Sequence, residues 1–171
     1  MIKLSILLIA LLAMVFGSYA QDTTSLKRIP YTVKIVVDRN SVFEEPVGAV
    51  PYLLPYNTLQ LYPGETVYIE VEEMDGAIKN MKAVKQIKDS SKTLTVSFTQ
   101  VTSENTHQSM MLKLQNPFKY DLNYQAKIYL YKQKRWMDTD VYPVFAKLAG
   151  YETWPDIIIT IGLGGWNFKT K

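Results

Sequence analysis

Six short runs of this chain alternate apolar and polar residues with a period of two, and that alternation sharply limits what the chain can become. Tyr31, Val33, Ile35 and Val37 alternate with Thr32, Lys34 and Asp38. Val67, Ile69 and Val71 alternate with Tyr68, Glu70 and Glu72, and Leu94, Val96 and Phe98 with Thr93, Thr95, Ser97 and Thr99. Met110, Leu112 and Leu114 form one side of the fourth run, Ala126, Ile128 and Leu130 of the fifth, and Ile157, Ile159 and Ile161 of the sixth. Successive side chains of a strand point to opposite faces, so each run offers one apolar and one wetter face. Turn-forming residues separate the runs: Pro63-Gly64, Asp75-Gly76, Asp89-Ser90-Ser91, Asn116-Pro117 and Gly164-Gly165. Short strands punctuated in this way predict an all-β fold, an immunoglobulin-like antiparallel β-sandwich of about seven to nine strands. The rival, a transmembrane barrel, would need longer runs and aromatic girdles at both ends.

Two segments break the pattern. Residues 39–63 carry Pro46, Pro51, Pro55 and Pro63. Proline cannot donate to a strand ladder, so this reads as a long surface connection or an edge strand broken by proline. Residues 138–155 read as irregular with one short helix, and Trp154-Pro155 as a plug at one end of the sandwich.

The first residues set the destination. Lys3 precedes an apolar run from Leu4 to Phe16, and small residues lead to Ser18-x-Ala20. That is the layout of a secretory signal peptide over residues 1–20, cleaved before Gln21. The apolar run is shorter than the roughly 20 residues a spanning helix needs. One domain, residues 21–171, is expected to follow, with residues 21–29 as a loose leader. The chain has no cysteine, so an exported form would use no disulfides. No glycosylation sequon is present, which favours a bacterial periplasm or extracellular medium. Removing Lys3 leaves eighteen cationic side chains against sixteen acidic ones, a net charge of +2. That balance is too small to imply nucleic acid or an anionic membrane as partner.

Lys79, Lys82, Lys85, Lys88 and Lys92 stand at nearly even spacing. On a helix, steps of three residues turn about 300° each and scatter the charges around the axis. As a hairpin the stretch answers the run before it. A three-residue loop, Met74-Asp75-Gly76, would set Ile69 against Met81, Val67 against Ala83 and Tyr68 against Lys82. A bulge near Lys85 would keep that lysine out of the core. Six acids between Glu65 and Asp89 balance the five lysines, so this is a solvated strand pair rather than a gripping surface.

Chemistry is sparse. The single histidine, His107, lies on a polar loop with no serine-and-acid pair able to converge on it. One histidine and no cysteine argue against zinc. Asp138-Thr139-Asp140 could open a calcium loop, but its sixth position is Pro143, where glycine is needed. Glu70 and Glu72 share a face by strand geometry alone. Gly162-Leu163-Gly164-Gly165 follows a strand but leads into no helix that could seat a phosphate. No catalytic residue, cofactor or metal is therefore expected, and the chain does not read as an enzyme.

Aromatic residues are the positive signal, with twelve tyrosines and three tryptophans. Tyr129, Tyr131 and Trp136 mark a possible partner or ligand surface, because flat rings beside polar groups stack sugars or anchor proteins. Trp154 and Trp166 read as core. The expected role is an exported, non-catalytic binding or structural accessory subunit of the cell envelope or surface. Its expected partner is another envelope protein or a glycan, without nucleic acid and without membrane insertion after signal cleavage. The alternative is a carbohydrate-binding module using exposed Tyr and Trp.

Overall fold

A computed structural model describes residues 26–169. The expected signal peptide lies outside the described residues. The described chain is all β: β1 (Tyr31–Asp38), β2 (Ser41–Val47), β3 (Leu53–Leu54), β4 (Thr58–Leu61), β5 (Glu65–Met74) and β6 (Ala77–Val84) come first. There follow β7 (Thr93–Ser103), β8 (Thr106–Gln115), β9 (Asp121–Leu130), β10 (Arg135–Thr139), β11 (Ala149–Trp154) and β12 (Ile158–Lys169). Twelve strands among the described residues exceed the seven to nine expected, because the proline-rich and irregular segments also form strands. Residues 39–63 hold β2, with Pro46 on the edge of a hairpin, and the short pair β3–β4. Residues 138–155 hold the end of β10 and all of β11, with no helix.

Two five-stranded antiparallel sheets face each other as a sandwich. The front sheet runs β11-β8-β7-β5-β6 and the back sheet β10-β9-β12-β4-β3. The inward halves of the alternating runs meet between them: Val67, Ile69, Leu94, Val96, Phe98, Leu112 and Leu114 from the front, Leu59, Leu61, Ala126, Ile128, Ile161 and Leu163 from the back. Each fully buried Leu, Ile or Phe contributes about 1.5–3 kcal/mol relative to exposure. Asn116 is buried beneath the loops at one end. Its Nδ2 donates to Tyr120 O (2.8 Å) and Val144 O (3.0 Å), and its Oδ1 accepts from Phe118 N (3.0 Å). That polar clasp holds the 141–148 excursion in irregular form where a helix was expected.

The β1–β2 hairpin forms a separate two-stranded sheet, which Gln100 of the front sheet bonds at Val36. Val33, Ile35 and Val47 pack on Ile157 and Ile159, outside the back sheet. The sixth run therefore differs from its expected single face. A register shift between Ile158 and Thr160 inserts one residue in the pairing with β9. That bulge turns Ile158 and Ile161 together into the sandwich and leaves Ile157 and Ile159 to the hairpin. The other glycine pair also changes meaning: Gly164-Gly165 is a second irregularity inside β12, not a turn between strands.

The lysine stretch is indeed a strand and its connection, in a different register. The loop is the two-residue Asp75-Gly76, both with positive φ (53° and 76°), closing Met74 on Ala77. Ile69 pairs with Ala83, Val71 with Met81, and Glu70 stands directly opposite Lys82. The bulge falls at Lys79, between the Glu72–Asn80 and Glu73–Ile78 pairs, and Lys85 lies beyond the strand end. Glu65, counted above with the solvated acids, is buried.

The reason is Arg28, whose side chain is 0 % exposed. Its Nε and Nη2 donate to the two Glu65 carboxylate oxygens at 2.7 and 3.1 Å, and its Nη1 donates to Pro51 O at 2.8 Å. Nη2 also donates to Gln60 O. The guanidinium lies 4.3 Å from the Tyr52 ring centroid. Glu65 accepts further bonds from the Tyr31 hydroxyl (3.0 Å) and Tyr62 N (2.8 Å). Leu26–Arg28 is thus no loose leader: Arg28 N donates to Val50 O and Tyr52 N to Leu26 O.

Removing one member of a buried pair leaves the other charge uncompensated, which costs about 3–5 kcal/mol. Arg28→Ala is expected to lower the unfolding free energy measured by urea denaturation by that amount, and Arg28→Met with Glu65→Met to recover most of it. Burial first, and then the Glu65 charge, push the Tyr31 phenol above its ordinary range, and burial does the same for Tyr52, Tyr62 and Tyr124. A raised folded pKa contributes stability below the unfolded pKa and loses it as pH rises. Stability is therefore expected to fall above about pH 10, the ordinary tyrosine value. Unfolding curves collected across that range should fall less steeply for Tyr31→Phe.

Candidate functional site

The outer face of the back sheet is divided in two. At one end the β1–β2 hairpin covers it, and Tyr129 and Tyr131 become half-buried parts of that contact. Tyr131 meets Phe43 edge-on at 5.3 Å between centroids. Tyr129 meets Trp136 edge-on at 5.5 Å and donates its hydroxyl to Lys134 O (3.0 Å). At the other end none of the described strands covers the sheet, and a groove of about 560 Å³ opens there.

Strand register places the groove's residues. Gln60 of β4 lies beside Gly162 of β12, which lies beside Lys127 of β9, which faces Asp138 of β10. In the next row Gly164 lies beside Gln125. The two glycines occupy outward positions of the central strand, so the floor there is bare backbone. A Cβ on Gly162 would sit 3.8 Å from Trp136 Cζ3, so the absent side chain leaves room for the indole to lean over β12. Trp136 is 46 % exposed.

The facing wall is Tyr56, with Leu54. Tyr56 is 97 % exposed and holds φ 61° and ψ 31°, and Asn57 follows at φ 54°. Left-handed backbone in a non-glycine residue costs on the order of 1 kcal/mol and persists only when its surroundings impose it. Here the indole of Trp166 donates Nε1–H to Asn57 O at 2.8 Å, while its ring stacks on Tyr124 at 5.6 Å and 17°. Trp166 thus pins from beneath the turn that displays Tyr56. Gln60, Gln125 and Thr58 supply neutral polar groups, and Lys127 is ion-paired with Asp138 at 3.2 Å.

Of the three residues singled out in sequence, only Trp136 lines this groove. Tyr56, Gln60, Gln125, Gly162 and Gly164 were missed. The signal was present: glycines at alternate positions of a strand mark a close approach by another group. His107 is structural. Its Nδ1 lies 2.9 Å from Gln100 Nε2, a donor, so Nδ1 accepts and Nε2–H donates to Pro155 O at 3.0 Å. No cluster of three or more metal-ligating side chains occurs among the described residues. A larger cleft, about 770 Å³, follows the open end of β5 beside residues 26–31, but its Glu65 is already bonded to Arg28 and its Tyr31 hydroxyl to Glu65.

Comparison with known proteins finds no matching family, no similar curated protein and no similar solved structure.

The two neighbouring glycines separate fold from groove. At Gly164 a Cβ would meet only Thr58 Oγ1, at 3.7 Å, whereas at Gly165 φ is +61° and the Gln125 side chain stands at 3.0 Å. Gly164→Val is expected to keep the melting temperature within about 3 °C, and Gly165→Val to lower it by about 5 °C or more.

Proposed function

We propose that the protein is an exported, non-catalytic binding protein of the bacterial cell envelope or surface, and that it takes its ligand in the groove between Trp136 and Tyr56. One observation carries this reading. Two exposed aromatic side chains flank a strip of glycine backbone, and one of them is displayed by a strained turn that Trp166 holds in place. Strain kept at an exposed aromatic has no role in packing the core. The non-catalytic part is supported by the lining itself, which contains no carboxylate, histidine or cysteine to act as acid, base or nucleophile. Export is supported by the arrangement of residues 1–20. The immunoglobulin-like label belongs to the same proposal. Its support is the chain's four crossings between the sheets, although the sandwich has ten strands where such domains carry about seven or nine.

A second reading, a structural subunit docked through protein contacts, has one observation in its favour. Tyr142, Phe145, Leu148 and Tyr151 are exposed near the β11 edge of the front sheet. The two readings part in one experiment. The mature chain is incubated with its own cell-envelope fraction and retention is compared across variants. Trp136→Ala and Tyr56→Ala are expected to reduce retention at least about tenfold with unchanged melting temperatures. Loss on Phe145→Ser with Leu148→Ser instead would favour the docked subunit, and no retention of the wild type would remove the groove reading.

A further inference from the structure

We infer that the groove's ligand is a neutral saccharide, with Trp136 stacked on a sugar ring and Tyr56 meeting the same or the next ring from the opposite wall. The inference rests on the groove being the binding site, and it follows from what the lining can and cannot satisfy.

Charge comes first. Among the described residues of the lining the one charged side chain is Lys127, and it is ion-paired at the surface with Asp138 at 3.2 Å. A phosphate or uronate ligand would find no cluster of cations, and an ammonium ligand no free anion. A neutral ligand loses least on entering. Polarity comes next. Gln60, Gln125 and Thr58 each carry both donors and acceptors. A hydrocarbon seated there would strip water from these groups and return no hydrogen bonds, at a cost of about 1–3 kcal/mol for each group. Hydroxyls, which donate and accept at once, match them. A carboxamide set against two adjacent hydroxyls can accept from one and donate to the other.

The backbone argues against an extended peptide. A peptide that adds to a sheet needs a free strand edge. At Gly162 the floor strand β12 is paired on both sides, with Gln60 of β4 and Lys127 of β9, so there the groove lies on a closed sheet face and offers no ladder. What the floor offers instead is flatness: Gly162 and Gly164 place no side chain between the two aromatic walls. A pyranose ring has flat faces of C–H groups that pack on an aromatic face, and its equatorial hydroxyls point sideways, where Gln60 and Gln125 flank the glycines in the strand register. The groove's volume of about 560 Å³ has room for two or three rings.

The test titrates the mature chain with hexasaccharides of β-1,4-glucose, α-1,4-glucose, β-1,4-xylose, β-1,4-mannose and β-1,4-N-acetylglucosamine, with oligogalacturonate as the charged comparison. Indole N–H shifts in amide correlation spectra provide the readout. At least one neutral hexamer is expected to saturate the protein and move the Trp136 indole signal. Its affinity should fall at least about tenfold in Trp136→Ala and in Gly164→Val, the second of which fills the floor without removing an aromatic. Oligogalacturonate is expected not to compete. The inference is overturned if no neutral hexamer saturates the wild type, or if binding survives in both variants. If saccharides fail while Trp136-dependent retention on the envelope persists, the ligand is of another class, an envelope protein, and the binding role stands. If retention fails as well, both fall together.

Discussion

One buried guanidinium decides how this chain closes. Arg28 joins four stretches that sequence separates: the entry to β1, the 50–52 strip, Gln60 of β4 and Glu65 at the start of β5. A charge removed from water is tolerable only when each donor is met, and here two carboxylate oxygens, two carbonyls and a tyrosine face meet it. The geometry that satisfies Arg28 also orients Tyr31 at the root of the hairpin. At the far end, Gln100 repeats the device with a neutral group. Its amide accepts from Val36 N (2.9 Å) and donates to Val36 O (2.7 Å), bonding the β1 backbone from the front sheet. The hairpin is therefore held at both ends by polar groups and along its length by Ile157 and Ile159.

That placement determines which part of the back sheet remains open. A sheet face long enough to pair β9 with all of β12 exceeds what one hairpin can cover. The covered half is apolar, carrying Ile157, Ile159, Tyr129 and Tyr131. The open half carries Gly162, Gly164, Gln60, Gln125 and Lys127. Trp136 stands near the boundary, packed on Tyr129 on one side and leaning over Gly162 on the other. The groove therefore lies on the sheet face itself rather than between loops.

Much of the architecture was legible in sequence because a half-buried strand must alternate. The runs at 31–38, 67–72, 94–99, 110–115 and 126–130 are all strands, and the all-β sandwich follows from them. What escaped has local causes. β3 spans two residues, too few to show a period. Pro46 masked an edge strand that tolerates proline because its ladder is one-sided. The run at 157–161 was misread because a bulge changes which side chains share a face, and no residue type announces a bulge. The Asp75-Gly76 turn was seen, but its loop length was one residue too long, and such an error moves every pair in the hairpin.

By itself, then, the sequence determined the all-β class, the turn at Asp75-Gly76 and a strand at the start of the lysine stretch, and it singled out Trp136, which is exposed. These depend on period and turn chemistry, which are local quantities. Only the tertiary structure decided that Glu65 is buried, that Tyr129 and Tyr131 lie under a hairpin, and that Tyr56 faces Trp136 across Gly162 and Gly164. Those facts depend on which surfaces meet across separations of 37 residues, as for Arg28 and Glu65, and of 109, as for Asn57 and Trp166. Alternation states that a face is apolar or wet, but what covers that face is settled by the packing of distant strands.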